Sequence, residues 1–331
     1  MADSIRKLGR KTLGKSNLSV SKLCYGTLAF SIYHANLSLE KSTLLLTEAY
    51  KKGVNFWDTA ELYETYSHLN YALKALDNDK DIVISSRSYA KTYKDMKSSI
   101  EKCLKEINRD KVEIFGLHEV QKDEFDGSTF RKGALKALIE AKNNGLISAI
   151  SITTHSAKVV DLAGDIEEID VIMPLINYKG IGIKDGNLSD MELAIKKAKE
   201  KNKGIYAMKV LAGGGLAESI KLAVNYALEN ENIDSIAIGM DSIDELLFNI
   251  DIFLGQENHL DLEEKLKIKK RNIHIEPWCV GCGSCINICP QNAIILEFGQ
   301  AKIVEEKCVR CGYCITACKD FYIKFLNEKE L

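Results

Sequence analysis

The chain has 331 residues, of which 46% are hydrophobic and 28% are charged, and its formal net charge at neutral pH is −2. This balance is typical of a globular protein, and it argues against the basic surface of a nucleic-acid-binding protein. The longest apolar runs fall far short of the roughly 18 residues that a membrane span requires. Residues 1–20 also lack the apolar segment of a signal peptide. We therefore expect a cytoplasmic protein with no membrane span and no nucleic-acid partner.

Short apolar segments of strand character recur along the first three quarters of the chain. The predicted strands are Lys22–Thr27, Asn55–Ala60, Asp81–Arg87, Val112–His118, Ala149–Thr154, Val171–Ile176, Gly204–Lys209 and Ser235–Gly239. Segments with helical spacing separate them, and Lys94 to Ile107 is the clearest amphipathic helix. Strands that are apolar on both faces indicate a parallel sheet covered by helices. An open doubly wound sheet is the alternative, but eight regular units without a G-x-G-x-x-G motif favour a closed (β/α)8 TIM barrel.

The segments that flank the predicted barrel have a different character. Residues 5–19, with Gly9 and Gly14, are predicted to form a short hairpin before the first barrel strand. Residues 255–276 are charged and lack strong apolar periodicity, so we interpret them as a linker. The expected domains are thus a barrel over residues 1–254 and a small C-terminal domain over residues 277–331.

Polar side chains that a core does not need lie at the ends of three predicted strands. Asp58 ends the second strand and is followed by Tyr63. Arg87 ends the third strand, and His118 ends the fourth. Each residue alone has an ordinary structural explanation, such as capping the next helix. Because the chemistry of such barrels gathers at the C-terminal ends of the strands, the four together indicate a catalytic site.

This arrangement resembles the aldo/keto reductase family, which has Asp and Tyr after strand two, Lys after strand three and His after strand four. The resemblance covers roughly residues 5–254 and implies nicotinamide-dependent reduction of a small carbonyl, or oxidation of an alcohol. By analogy Tyr63 donates the proton, His118 orients the carbonyl, and Asp58 fixes the cation that lowers a tyrosine pKa from about 10. The sequence departs from the family at Arg87, which supplies positive charge but cannot relay a proton.

The same resemblance implies a dinucleotide site formed by the ends of the remaining strands. The expected cofactor-binding residues are Thr27, Thr154, His155, Asn177, Lys209, Gly239, Met240, Asp241, Ser242, Glu245 and Asn249. Ser242 and Glu245 have the spacing of a capping box, and the helix N-terminus behind them is a natural pyrophosphate site. A well-capped helix that binds no ligand is the alternative.

Three positions of the expected dinucleotide site depart from the family pattern. Ile176 stands where the family has the tyrosine that stacks on the nicotinamide, and Met173 stands where it has a glutamine. Tyr178 or Tyr206 would have to supply the stacking ring. Asp241 stands where relatives that use NADP carry Arg or Lys, and a carboxylate there repels the 2′-phosphate. We therefore predict that NADH is favoured over NADPH.

Eight of the ten cysteines lie within forty residues, in two copies of one spacing. The copies are Cys279, Cys282, Cys285 and Cys289, followed by Cys308, Cys311, Cys314 and Cys318. Three cysteines at C-x2-C-x2-C wrap a loop around an iron–sulfur cubane, and the fourth ligates the other cluster. Structural zinc would use paired C-x2-C knuckles without a third cysteine, and a disulfide framework would need an oxidising compartment. Cys24 and Cys103 lie among apolar residues and are predicted to be buried hydrophobes.

This spacing resembles that of two-cluster bacterial ferredoxins over roughly residues 276–320. On that resemblance one [4Fe–4S] cluster is bound by Cys279, Cys282, Cys285 and Cys318, and the second by Cys289, Cys308, Cys311 and Cys314. The second run departs from the ferredoxin pattern at Lys319, where a proline is expected. The C-terminal domain is thus expected to be a small ferredoxin-like α+β domain.

Three hypotheses for function remain open at this point. In the first, the barrel is an independent reductase beside clusters that are structural or regulatory. In the second, the clusters exchange electrons with a redox partner protein while the barrel binds a redox-active ligand. In the third, the barrel has lost reductase chemistry and only binds a ligand, as Arg87, Met173 and Ile176 would allow. The absorbance of any cofactor that remains bound after anaerobic purification would separate them.

Overall fold

A computed structural model describes residues 8–32, 34–124, 131–216, 219–257, 261–262, 271–318 and 322–327. Two short strands, β1 (Arg10–Thr12) and β2 (Ser19–Ser21), pair antiparallel before the barrel. The hairpin predicted over residues 5–19 is therefore found a few residues later, and residues 5–7 lie outside the described part. Leu13, in the turn of the hairpin, is fully buried against the inner barrel residues, so the hairpin closes one end of the barrel.

Eight parallel strands form a closed barrel. They are β3 (Leu23–Gly26), β4 (Phe56–Asp58), β5 (Val83–Ser88), β6 (Val112–Leu117), β7 (Ile147–Thr154), β8 (Val171–Pro174), β9 (Gly204–Ala207) and β10 (Ser235–Gly239). Each strand pairs with the next in the chain, and β10 returns to pair with β3. The predicted (β/α)8 barrel is confirmed, and each strand overlaps its predicted segment.

Helices follow the strands and cover the outside of the barrel. Over the described residues they are α1 (Leu39–Lys51), α2 (Tyr66–Ala75), α3 (Tyr93–Ile107), α4 (Lys132–Asn143), α5 (Ala157–Gly164), α6 (Leu188–Glu200), α7 (Ile220–Leu228) and α8 (Ile243–Leu254). Helix α3 is the amphipathic helix that the sequence predicts, and it buries Met96, Ile100 and Cys103. Cys24 is also fully buried, as predicted. Within these described ranges, no helix is long and apolar enough to cross a membrane.

The C-terminal domain consists of two short helices and two small antiparallel sheets. Its elements are β11 (Arg271–Ile275), α9 (Ser284–Ile288), β12 (Ile294–Glu297), β13 (Gln300–Ile303), α10 (Tyr313–Ala317) and β14 (Ile323–Asn327). Strand β11 pairs with β14, so the linker predicted over residues 255–276 is wrong for its last part. Ile273 and Ile275 point to the same face of β11 and pack against the cysteine-rich core, which explains why these residues form a strand. Residues 258–260 and 263–270 of that linker lie outside the described part.

The C-terminal domain docks into the mouth of the barrel. Val309, one residue after Cys308, is 1% exposed and joins the apolar cluster inside the barrel with Met173 and Met208. Two glycines of the barrel loops leave room for it. A Cβ atom at Gly182 would collide with the Val309 side chain, and one at Gly213 would overlap the Val309 carbonyl oxygen. The loop of the second cysteine run is thus fitted closely to the barrel.

Candidate active site at the barrel mouth

The four predicted catalytic residues come together at the C-terminal ends of neighbouring strands. Asp58 is the last residue of β4, Arg87 lies near the end of β5, and His118 directly follows β6. Tyr63 ends a short 3₁₀ helix, Glu61–Tyr63, that follows β4. All four side chains are buried. The sequence therefore located this group of residues correctly in the fold.

A chain of hydrogen bonds fixes the Tyr63 hydroxyl. Arg87 donates through Nη1 to Asp58 Oδ1 at 2.6 Å and through Nη2 to the Tyr63 hydroxyl at 2.8 Å. The Tyr206 hydroxyl donates to the same Asp58 oxygen at 3.0 Å and lies 2.8 Å from Ser85 Oγ. The planar guanidinium can thus hold the carboxylate and the phenol at once. Tyr206 supports Asp58 from inside the barrel, so its ring is not available to stack on a nicotinamide.

Burial dominates the electrostatics of Tyr63 and His118. Burial raises the pKa of Tyr63, while the Arg87 cation and a hydrogen bond from Tyr313 lower it. Burial and the nearby Arg87 hold the pKa of His118 well below its usual value, so its imidazole is neutral at pH 7. The Tyr89 ring stacks on that imidazole with 4.2 Å between ring centroids. Among the described residues, no group hydrogen-bonds His118 Nδ1, and a neutral imidazole of this kind can orient a carbonyl oxygen.

A cavity of about 220 Å³ opens beside these residues. Its lining includes Asp58, Tyr63 and Arg87, together with Met173, Met208, Lys209, Gly213, Gly214, Gly239, Asp241, Glu245 and Asn249. Five residues expected to bind the dinucleotide therefore share one cavity with three of the catalytic residues: Lys209, Gly239, Asp241, Glu245 and Asn249. The cavity thus brings residues expected at the dinucleotide site next to the predicted proton donor, Tyr63.

Other residues expected to bind the cofactor lie outside the cavity lining. They are Thr27, Thr154, His155, Asn177, Met240 and Ser242. Several of them bond within the protein instead. Thr154 Oγ1 donates to the Val120 carbonyl at 2.7 Å. Asn177 Nδ2 donates to the Ile181 carbonyl at 2.9 Å. These side chains stabilise loops at the barrel mouth, and a residue's spacing in the sequence does not distinguish that role from cofactor binding.

The N-terminus of α8 carries two carboxylates. Ser242 Oγ accepts a hydrogen bond from the Glu245 amide at 3.3 Å, as the capping-box spacing predicts. The Glu245 carboxylate accepts from the amide of Asp241 at 2.7 Å, one residue before the cap. In a capping box the Glu245 carboxylate would accept from the amide of Ser242, so this second hydrogen bond is displaced by one residue. The side chains of Asp241 and Glu245 thus both lie at this helix end and line the cavity.

The C-terminal domain contributes Tyr313 to the candidate site. Tyr313 is buried and packs against Tyr63 and Ala60, and it also hydrogen-bonds the Tyr63 hydroxyl. Sequence reasoning did not find this residue. The one available signal was a difference between the two cysteine runs, since Tyr313 occupies the position that Ser284 has in the first run.

His155 joins the two domains. Its Nδ1 lies 3.2 Å from Glu119 Oε1, and Gln291 of the C-terminal domain hydrogen-bonds the same ring. Gln121 Nε2 also donates to Glu119 Oε1 at 2.8 Å. Burial raises the pKa of Glu119 to about 7. Sequence reasoning assigned His155 to the cofactor, but the structure gives its ring a partner across the domain interface.

The fold of the small domain brings cysteines of the two runs together. Cys289, Cys308, Cys311 and Cys314 line one cavity, although the first of them belongs to the other run. The two runs also repeat the same backbone contacts. The amide of Ala293 donates to Cys289 Sγ at 3.3 Å, and the amide of Tyr322 donates to Cys318 Sγ at 3.2 Å. Amide hydrogen bonds to ligand sulfur are typical of iron–sulfur sites, so the donor set fits a cubane.

Comparison with known proteins identifies both parts of the chain. The model of the aldo/keto reductase family matches residues 22–221, which is more than half of the chain. The chain belongs to the aldo/keto reductase family. The model of the 4Fe–4S dicluster domain matches residues 271–319. The predicted combination of an aldo/keto reductase barrel with an iron–sulfur domain is therefore confirmed.

Individual relatives of this aldo/keto reductase are distant. L-galactose dehydrogenase of Arabidopsis thaliana is 23% identical over 286 residues, which are 74% of this chain and 88% of that protein. A solved structure from Pseudomonas aeruginosa, described as an aldo-keto reductase, has a TM-score of 0.64 at 20% identity, and the match covers 77% of this chain and 99% of that one. The holo form of an aldo-keto reductase from Bacillus halodurans has a TM-score of 0.63 at 18% identity, covering 78% and 96%. At these identities the solved structures show the shared fold alone.

Proposed function

We propose that this aldo/keto reductase is a nicotinamide-dependent oxidoreductase that reduces a small carbonyl compound, or oxidises the corresponding alcohol, and that it binds two [4Fe–4S] clusters. The position of the Tyr63 hydroxyl carries the proposal. That hydroxyl is hydrogen-bonded to Arg87, and both residues line the cavity that the dinucleotide loops also line. The proposed proton donor and the proposed cofactor-binding loops thus line the same cavity.

The roles of the residues follow from their contacts. A bound nicotinamide would supply hydride to the carbonyl carbon. Tyr63 would donate the proton to the carbonyl oxygen, and Arg87 would stabilise the phenolate that remains. Asp58 holds Arg87 in place. Because arginine keeps its proton, Tyr63 would regain its proton from solvent by another route than the lysine relay of the family. The hydrogen bond from Tyr313 would help Arg87 to stabilise the phenolate.

The proton-donor role is tested by replacing Tyr63 with phenylalanine. The variant keeps the packing ring and loses the hydroxyl, so carbonyl reduction should fall by about 10²–10⁴-fold while NADH still binds. Tyr226→Phe is the matched control, because the Tyr226 hydroxyl bonds Glu192 on the outer helices, far from the site. Steady-state rates and calorimetric NADH titrations on both variants decide the matter. A fully active Tyr63→Phe variant would remove Tyr63 from the mechanism.

The proposal includes a preference for NADH over NADPH. Asp241 and Glu245 both line the cavity at the N-terminus of α8, and their charges oppose a 2′-phosphate. Replacing Asp241 by arginine should improve NADPH affinity by about 10–100-fold, the scale of a charge-assisted contact worth roughly 1.5–3 kcal/mol. NADH affinity should change much less. Tighter binding of NADPH than NADH to the unmodified protein would contradict this assignment and would point to Lys209 as the phosphate ligand.

A second candidate function is an electron-transfer or ligand-binding protein whose barrel has lost reductase catalysis. The contact between Tyr313 and Tyr63 favours it, because the iron–sulfur domain then reaches the residue that a carbonyl substrate would need. A redox partner protein would be part of this function. Nicotinamide binding without turnover of any carbonyl would support it, whereas turnover that depends on Tyr63 would exclude it.

A further inference from the structure

The two cysteine runs have the same spacing, but their first loops lie in opposite environments. Val280 and Val309 each follow the first cysteine of their run, and they are 63% and 1% exposed. All eight cysteines are described, and Cys282 of the first run is exposed, whereas Cys285, Cys308, Cys314 and Cys318 are buried. The loop after Cys308 therefore faces the barrel, and the loop around Cys282 faces solvent. The two clusters cannot be equivalent.

An apolar patch surrounds the exposed cysteine. It consists of Trp278, Val280, Leu296 and Phe298, which are 62%, 63%, 50% and 99% exposed. The two segments that carry the patch are in contact, because a Cβ atom at Gly281 would overlap the Gly299 carbonyl oxygen and lie 3.5 Å from the Leu296 side chain. Of the twelve large hydrophobic side chains that are exposed in the described part of the chain, six lie within residues 278–298. Such a concentration marks an interaction surface.

The size and position of the patch indicate what binds there. A stable interface between two copies of the chain needs roughly 20–30 residues on each side, which four side chains do not supply. Weak electron-transfer contacts are small, and a partner that contacts the patch would lie against the exposed cluster ligand Cys282. The patch side chains carry no charge, so the contact is apolar and short-lived. These properties fit a small protein that carries single electrons.

We propose that this patch is the docking surface of a one-electron carrier protein, and that electrons enter the domain at the cluster of Cys279, Cys282, Cys285 and Cys318. The inference rests on the cluster binding proposed above. In each encounter the carrier loses one electron and that cluster gains it, and no bond forms or breaks. The electron then moves to the cluster of Cys289, Cys308, Cys311 and Cys314, beside Tyr313 and the barrel. Two encounters leave one electron on each cluster.

The test compares the patch with an equally exposed apolar site on the barrel. The patch variant carries Val280→Ser and Phe298→Ser, and the control carries Leu193→Ser on α6, where the side chain is 53% exposed. Each protein is mixed anaerobically with a reduced [2Fe–2S] ferredoxin, whose visible bands differ from those of a [4Fe–4S] cluster, and the return of those bands is followed by stopped flow. Dithionite, a small reductant that needs no docking surface, is the second probe. Iron and sulfide content is measured for each protein.

The patch variant should lose at least about tenfold in its second-order rate constant with ferredoxin and nothing with dithionite, because apolar docking contacts are removed while the clusters stay. The Leu193→Ser control should match the parent with both reductants. Equal ferredoxin rates in the patch variant and the parent would overturn the proposal. The proposal would also be overturned if the parent protein forms a dimer that the patch substitutions dissociate while the ferredoxin rates stay the same. The assay contains neither nicotinamide nor carbonyl, so a failure of the reductase proposal would not change its outcome and would be seen separately.

Discussion

Replacing Gly213 by alanine should release the iron–sulfur domain from the barrel mouth. Gly213 has a φ of +65°, where a side chain costs about 1–2 kcal/mol. The added Cβ atom would also overlap the Val309 carbonyl oxygen, so Val309 must withdraw from the barrel. Exposing a valine side chain costs about 1.5–3 kcal/mol. Together these terms destabilise the docked state by about 3 kcal/mol, which corresponds to roughly a hundredfold change in its opening equilibrium.

Hydrogen–deuterium exchange measured anaerobically tests this expectation. Amides of residues 308–318 should exchange about a hundredfold faster in Gly213→Ala than in the parent, because opening of the docked state governs their exchange. Gly214→Ala is the matched control. Its φ is +98°, so the backbone strain is present, but a Cβ atom there has no neighbour within 4 Å. Equal exchange rates in Gly213→Ala and Gly214→Ala would show that backbone strain alone causes the faster exchange. Val309 would then not hold the domains together.

Two further predictions concern the residues between the domains. Tyr313→Phe keeps the packing against Tyr63 and removes one hydrogen bond to its hydroxyl, so kcat should fall by about 2–10-fold while the iron content is unchanged. Glu119 has its pKa raised to about 7 by burial, so the folded protein holds a proton that the unfolded chain releases near pH 4.3. The free energy of unfolding therefore decreases as pH rises from about 4.3 to about 7. Glu119→Gln does not titrate, so this decrease should be absent from the variant. The stability gain of this variant, from thermal unfolding under argon, should be larger at pH 8 than at pH 5 by up to about 3 kcal/mol; a gain that does not grow with pH would contradict the raised pKa.

The barrel and the positions of the candidate catalytic residues were predictable because both depend on local pattern. A strand that is apolar on both faces can only be buried between helices, and Asp58, Arg87 and His118 are polar where such strands end. The chain order of the strands then brings the three side chains to one mouth. No knowledge of distant contacts was needed for that conclusion.

The docking of the two domains was not predictable for the opposite reason. Val280 and Val309 occupy the same position in their C-x2-C spacings, yet one is exposed and the other lies inside the barrel. The difference arises from Gly182 and Gly213, whose missing side chains make room for Val309 more than 90 residues along the chain. The sequence around a loop glycine does not indicate which distant residue packs against it.

Hydrogen-bond partners were the least predictable feature of the candidate site. Asn177 and Thr154 were expected to bind the cofactor, and both bond to backbone carbonyls of nearby loops. Tyr206 lies in an apolar strand, and its ring fills the barrel interior while its hydroxyl reaches Asp58. A tyrosine in such a strand has the same sequence pattern as an inert core aromatic. Only the packed barrel determines which oxygen its hydroxyl meets.

With two clusters bound as proposed, docking of the second cysteine loop also sets an order for the maturation of the protein. Cys311 packs against the apolar cluster inside the barrel and against Tyr63 and Tyr313, so iron and sulfide delivered by a scaffold protein can reach it only while the Cys308–Tyr313 loop is outside the barrel. We therefore expect the inner cubane to be built first and the barrel to close over it afterwards, whereas the outer cubane, next to the exposed Cys282, stays accessible for repair in the finished enzyme. Oxygen damage would then be reversible at one cluster, and at the other it would require partial unfolding of the interface.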